Sequence, residues 1–405
     1  MKTGLPSSYM FLLLGSFVSK IGDSIYTFAI PWISYEITKS ATIMGSLYAT
    51  SVLPIVALGP FIGSLVDKFS KKNLMIIADV LRVILISMVP ILHAYNFIEI
   101  WHLYAISFLV TIISLMFDVS TVAIIPEIAG DQLTKANSSM QLITQLSGFI
   151  GPLVAGVLIS SIGGYSTLWV DVISFAGTIV TVWQLLPVDA GMKEYENVNI
   201  FTSMTEGFKW LIRDKLQLGF SLQAMIGNFG YSTAFAVLIF YLRTSIHLNA
   251  EMIGINLALL SIGGLFGTIM IIPIERKFGR SNSIPLLLSI GFLGYLVAML
   301  PFFWFDSGLG FGIVSFCNVS WNIIITTIRQ ECVPKVMLGR VLSVSRVLTR
   351  LGMPLGAMVG GLVLANGNAP EVFLIAAISK FIEILIAFFW IKPRLSKKPK
   401  RKSFE

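Results

Sequence analysis

Residues 59–79, GPFIGSLVDKFSKKNLMIIAD, run through small and apolar side chains, place Asp67, Lys68, Lys71 and Lys72 within a few positions, and turn apolar again at once. A short charged turn between two greasy stretches is what a chain needs to cross a bilayer and come straight back. The composition agrees: of 405 residues 55% are hydrophobic and 12% charged, with a mean hydropathy of +0.83. A soluble globular chain carries charge on about a quarter of its residues. Inside lipid every backbone polar group must be paired, so a spanning segment is a helix of about 20 residues or part of a closed barrel. Runs such as VILISMVPIL (residues 83–92) show no alternation of period two, which selects helices.

On this basis spans are expected at 9–37, 41–66, 73–95, 98–126, 138–163 and 166–187, then at 216–244, 250–274, 282–304, 306–330, 341–365 and 369–391. The predicted fold is an all-α integral membrane protein with twelve transmembrane helices in two six-helix pseudo-repeats. The expected organisation is an N-terminal bundle at 1–187, a cytoplasmic linker at 188–215, a C-terminal bundle at 216–391 and a basic tail at 392–405. The first span is expected to be retained rather than cleaved as a signal, because it is long and holds Lys20 and Asp23.

Orientation follows from the basic residues. With a cytoplasmic N-terminus, most of the 29 Lys and Arg residues fall in inside loops and tails, including Lys68, Lys71, Lys72, Arg276, Lys277, Arg280 and the 392–402 run. Only Lys39 and Arg243 fall in outside loops. That asymmetry predicts both termini in the cytoplasm. The net charge of +8 then reflects topology and a tail facing anionic lipid, and nucleic-acid binding is not expected. Cys317 and Cys332 fall about 22 Å apart along one helix, too far for a disulfide between them.

The two groups of six read as copies. Lys68-Phe69-Ser70-Lys71 after the second span is answered by Lys277-Phe278-Gly279-Arg280 after the eighth. Leu133-Thr134-Lys135 with Ser138 is answered by Leu338-Gly339-Arg340 with Ser343, and Pro152 in GPLVAG by Pro354 in MPLGAMVGG. Three matches at corresponding places argue for a duplicated six-helix unit, a plan that many transporters use to build a site between two halves.

Gly63-Ser64-Leu65-Val66-Asp67-Lys68-Phe69-Ser70-Lys71-Lys72 resembles the loop signature of the major facilitator superfamily. The stretches IGDSIYTFAIPW, ISYEITKSA, PEIAGDQLTKANSS and VPKVMLGRVLSVSRVLTRLGMPLGAMVGG resemble the subgroup of macrolide efflux permeases and siderophore exporters, and the resemblance covers nearly the whole chain. Two departures stand out. Ser70 occupies a place where the signature usually has glycine, and in the second copy Arg276 takes the aspartate slot with Glu275 one residue early.

The resemblance and the charge pattern together suggest a cytoplasmic latch made of Gly63, Asp67, Lys68 and Lys71, with Asp79 and Arg82 supporting it. A carboxylate near a helix N-terminus gains about 0.3–1 kcal/mol, enough to bias two conformations without locking either. A solvated positive-inside turn is the plainer reading. In the fifth span Gly148, Gly151, Pro152 and Gly156 suit a helix pivot, resembling the signature of proton-coupled exporters, and suit ordinary close helix packing equally.

No G-x-x-x-x-G-K-[ST] loop is present, so an ion gradient is the expected energy source, and neither a cofactor nor a metal set is expected. Ionisable groups inside a bilayer are costly and tend to be functional, and a carboxyl in low dielectric favours its neutral form. The proton-coupling candidates are Asp23, Asp118 and Glu383. Asp23 has a competing explanation in an ion pair with Lys20 at i, i+3, and Glu383 has the same in Lys380. Asp171 reads as an anchor near the outer end of the sixth span. The substrate cavity is expected to use Gln145, Asn228, Asn318, Trp321 and Asn322 among adaptable aromatic and methionine side chains. In the linker, Ile200, Phe201, Met204, Phe208, Leu211 and Ile212 recur at helical spacing, which suits an amphipathic helix on the inner membrane surface.

The leading functional expectation is a proton-coupled antiporter that exports amphipathic drugs or natural products from a bacterial cell by alternating access. The alternative is a specific small-metabolite or siderophore transporter on the same fold. Expected partners are a small amphipathic substrate, protons and membrane lipid, and the chain is expected to act as a monomer. An enzyme would want a catalytic cluster, yet His93, His102 and His247 are scattered and form neither H-E-x-x-H nor part of a G-x-S-x-G site.

Overall fold

The computed structural model describes residues 6–129, 132–184, 200–300, 302–367 and 369–396. They are almost entirely helical. The first six long helices are α1 (Ser7–Thr38), α2 (Ala41–Lys68), α3 (Lys71–Ala94), α4 (Ile100–Ala129), α5 (Leu133–Ile162) and α6 (Gly164–Trp183). A shorter α7 (Ile200–Arg213) follows in the linker region. The second set is α8 (Lys215–Phe235) with α9 (Leu238–Thr244), α10 (Ala250–Phe278), α11 (Arg280–Met299), α12 (Asp306–Cys332), α13 (Lys335–Arg350) with α14 (Gly352–Ala365), and α15 (Ala369–Ile386). The last continues through a π turn at Ala387–Ile391 into α16 (Lys392–Ser396).

Among the described residues 11 segments are long and apolar enough to cross a membrane. The twelfth expected span is α1, 32 residues long, with Lys20 and Asp23 in its middle. Two expected spans are broken: the seventh at Ala236–Val237 and the eleventh at Leu351. The first has no proline beside it, whereas the second falls at the turn before Pro354, which cannot donate to the Arg350 carbonyl. Val237, at φ −112° and ψ 7°, leaves the helical region, whereas Leu351 stays within it at φ −56° and ψ −29°.

The chain forms two compact units. One comprises Met1–Lys39, Thr50–Glu196 and Asn249–Ala258; the other comprises Ser40–Ala49, Asn197–Leu248 and Leu259–Glu405. Within the first, α1 packs on α5 and α6, and α3 on α4 and α6. Within the second, α8 packs on α14 and α15, and α11 on α12 and α15. Placing α8 over α1, α11 over α3 and α15 over α6 maps one pairing scheme onto the other, so the duplication read from scattered motifs is present in the packing.

The finest match is a close approach of first and last helices. A Cβ at Gly22 of α1 would fall 2.2 Å from Ser174 Oγ on α6, and a Cβ at Gly230 of α8 would fall 2.5 Å from Ser379 Cβ on α15. Only glycine lets these backbones meet. The turn before the third helix of each unit differs instead. Gly279 adopts φ +71°, a left-handed conformation that suits glycine, whereas Ser70 stays at φ −59° and accepts a hydrogen bond from the Asn73 amide as the cap of α3.

In the linker, α7 lays Leu211 against Val333, Val341 and Val344, while Phe208 and Ile212 on its other side are exposed. Gly207 meets the Arg340 backbone, and Arg340 pairs with Glu206. At the other end of this unit Asp214 caps α8 by accepting from the Leu216 and Gln217 amides. Trp390 in the π turn donates to the Lys215 carbonyl at 2.7 Å and fills the space left by Gly219.

Candidate functional site

In the first unit, charge gathers where α1, α3, α4 and α6 meet. Asp79 and Arg82 are one turn apart on α3 and both wholly buried, with Arg82 Nη1 3.2 Å from Asp79 Oδ1. The guanidinium lies between the rings of Phe117 and Phe175, 4.8 and 4.9 Å from their centroids, a cation–π sandwich supplied by α4 and α6. One turn before Phe175, Asp171 is also fully buried, and its Oδ1 lies against the backbone of Gly22. Neither carboxylate oxygen of Asp171 accepts a hydrogen bond. The neighbouring Ser174 hydroxyl donates to the Asp171 backbone carbonyl at 2.7 Å instead.

Asp23, next to Gly22, is half-buried and within electrostatic reach of Asp171 and Arg82. Its expected partner Lys20 reaches Asp118 on α4 at 3.7 Å. Asp79 and Arg82 therefore keep company with Asp23 and Asp171 in the bundle interior. The sequence placed them beside the loop and gave Asp171 to the outer end of α6. Linear position along one helix cannot report which residues of three other helices stand at the same depth.

The loop itself is tied into the first unit. Lys71 pairs with Glu127 at the end of α4, 3.2 Å away, and Lys72 donates to the last carbonyl of α6, Trp183 O, at 2.7 Å. Lys68 is exposed, and space is open around Gly63. The Asp67 side chain lies outside the described residues. The second unit repeats the Lys71–Glu127 pair: Arg280, at the start of α11, binds Glu331 at the end of α12 and also Glu275. Glu127 and Glu331 were not singled out in the sequence, although each closes the fourth helix of its half.

The pivot residues are contact points. Gly151 faces Ser24 and the Ile21 carbonyl of α1, and Gly156 faces the Ala250 carbonyl at the start of α10. Pro152 sits between them, its carbonyl against Gly254, and Gly148 is half-buried one turn earlier.

In the second unit a polar chain runs through the interior. Lys380 Nζ lies 2.8 Å from Glu383 Oε1 and donates to Asn318 Oδ1 at 3.1 Å. Gln223 donates to the Glu383 backbone carbonyl, and Trp321 donates to Gln223 Oε1 at 3.0 Å. Gly227 leaves room for the Glu383 carboxylate on α8. Asn318 and Trp321 thus come together, joined by Gln223, which the sequence gave no reason to choose. Asn228 donates to the Thr349 carbonyl, Asn322 is exposed, and Gln145 is half-buried on α5 of the first unit. Beyond this chain Tyr231, Phe235, Tyr295, Phe311 and Phe373 form an aromatic cluster, with most rings edge to face and Tyr231 stacked on Phe235.

A helical pair of units with charged interiors is the architecture of a membrane transporter rather than an enzyme. A family model described as Major Facilitator Superfamily matches residues 12–331, and the chain belongs to that superfamily. It is 23% identical over 396 residues to the multidrug efflux pump Tap of Mycolicibacterium fortuitum, covering 95% of this chain and 96% of that one. It is 25% identical over 364 residues to macrolide efflux protein A of Streptococcus pyogenes, covering 86% and 87%. Among solved structures, a bacterial homologue of the iron transporter ferroportin superposes with a TM-score of 0.77 at 16% identity, covering 96% of this chain and all of that one. The nucleoside transporter NupG gives 0.72 at 14% identity, covering 98% and 100%.

Proposed function

We propose that this transporter is a proton-coupled antiporter that exports amphipathic drugs or related natural products by alternating access, with both chain ends in the cytoplasm. The observation that carries the coupling is the excess of acid in the first unit. Among the described residues, the bases near Asp23, Asp79, Asp118 and Asp171 are Lys20 and Arg82. Acid held inside a bilayer without enough counter-charge must take up protons or receive a cationic ligand. A site that does one or the other in turn is an exchanger of protons for cationic amphipaths. The names of the efflux relatives support the outward direction and the substrate class.

In this reading Asp23, half-buried and within electrostatic reach of both Arg82 and Asp171, is the carboxyl that joins the buried cluster to substrate and proton exchange. Asp67, with Lys68 and Lys71, is the latch on the cytoplasmic side. The experiment is expression in an efflux-deficient bacterium challenged with macrolides and other bulky antibiotics, with Asp23→Asn beside the parent. Tolerance should rise with the parent chain and fall back with the variant. Protection unchanged by Asp23→Asn removes that residue from coupling, and no protection from any compound removes drug export.

One observation favours the metabolite reading. In the second unit Arg346 lies within electrostatic reach of both Arg329 and Arg350, and none of the three has a carboxylate partner among the described residues. Arg329 donates only to Ser221, at 3.1 Å. Three unpaired guanidinium groups suit an anionic substrate. Uptake or efflux of a radiolabelled carboxylate or phosphate ester that is lost in Arg346→Gln decides for that reading.

A further inference from the structure

The first unit holds an unpaired donor and three unpaired acceptor oxygens in one buried interior. Arg82 spends Nη1 on Asp79 but leaves Nε without a partner, Asp79 leaves Oδ2 without one, and Asp171 leaves both oxygens without one. All three side chains are at most 1% exposed. The guanidinium carbon lies over both the Phe117 and Phe175 rings, and Phe175 stands one turn beyond Asp171 on α6. Arg82 is bound to a carboxyl on its own helix and stands within electrostatic reach of the one on α6.

We propose that Asp171 is a proton-binding site, neutral while Arg82 is committed to Asp79 and ionised when Arg82 turns to it. Arg82 can satisfy one of the two carboxyls, and an ionised carboxylate buried without a partner is far costlier than a neutral one. The arginine's choice therefore sets which aspartate carries the proton. When Arg82 leaves Asp79 for Asp171, the proton leaves Asp171 for Asp79, so the carboxyl left without the arginine is the neutral one and the charge of the cluster is conserved. Among the described residues the charged groups acting on Asp171 are Asp23 on α1 and Asp79 and Arg82 on α3, while Lys20, also on α1, is engaged with Asp118 of α4. Helix α5, also against α6, has Lys135 as its one charged residue, in its first turn. The nearby phenol of Tyr26 bonds Ser107. The transport purpose of this proton rests on the coupled reading above, whereas its presence does not.

The test is infrared difference spectroscopy of the purified full-length protein in lipid, following the neutral-carboxyl absorption across a pH step. Wild type should show a neutral-carboxyl band at neutral pH that Asp171→Asn removes and Asp23→Asn keeps. Asp79→Asn releases Arg82 to Asp171, so it should remove the same band although Asp171 is intact. A merely structural Asp171 would not respond to that distant change. A band that survives Asp171→Asn, or survives Asp79→Asn, overturns the proposal, as does its absence from wild type. A second measurement separates this from coupling: proteoliposomes holding a pH-sensitive dye, with erythromycin added as the probe. Proton movement in wild type but not in Asp171→Asn supports the site's role in transport. Movement in both leaves coupling intact and removes Asp171 from it. Movement in neither removes erythromycin–proton exchange, while the infrared band still decides whether Asp171 holds a proton.

Discussion

The two units share a skeleton and differ in their charge. Gly22 against Ser174 and Gly230 against Ser379 are the same close approach, made twice. Around it the chemistry diverges. The first unit places Asp23 just after its glycine, where the second places Tyr231, part of an aromatic cluster. The first buries Asp171 one turn before its serine, where the second has Ala376; the second instead buries Lys380 and Glu383 after its serine and closes them on each other. On the third helices Arg82 is answered by Gly291, whose missing side chain leaves room for the stem of Lys380. At this level the second unit pairs its buried acid with a lysine while the first leaves Asp171 without a partner, which teaches that duplication preserved the backbone contacts while the ionisable groups were free to specialise.

Four measurements break or sharpen this contrast, all read as the shift in unfolding of the detergent-solubilised protein. The largest effect belongs to the closed pair: Lys380→Met strands Glu383 and should cost about 3–5 kcal/mol, most of it recovered in the Lys380→Met/Glu383→Leu double variant. Next, Gly22→Val and Gly230→Val should each cost about 1–3 kcal/mol by forcing the helices apart, and markedly unequal losses would mean that the two approaches are not equivalent. Asp171→Asn should change stability by about 1 kcal/mol or less, because no partner is lost. A loss as large as that of Lys380→Met would show Asp171 to have a partner after all. Smallest are the repeated ion pairs at the loop, where Lys71→Ala and Arg280→Ala should each cost about 0.2–1 kcal/mol, less in high salt.

Much of the skeleton was legible in the chain. Apolar runs of spanning length located the helices, and the paired motifs at Lys68 and Lys277 and at Pro152 and Pro354 announced the duplication. The Lys380–Glu383 pair was visible because both partners lie on one helix at i, i+3. Lys20 and Asp23 have the same spacing, yet Lys20 turns to Asp118, since a neighbouring helix offers a carboxylate that local spacing cannot foresee. Asp171 failed for the same reason. Its surroundings come from α1 and α3, and only the packing of those helices shows that it is buried beside other charged groups. The break at Ala236–Val237 carried no proline or charge to mark it, whereas the one at Leu351 lies between Arg350 and Pro354.

The bond from Trp390 to the Lys215 carbonyl has a practical bearing. It fastens the exit of the final helix to the entry of the second unit, a few residues past the linker helix. Cargo fused behind Ser396 would pull on the same spot that a cut or insertion in the linker would loosen. Reporter proteins and affinity handles are thus better judged by what they do to α8 than by how far they hang from the bilayer.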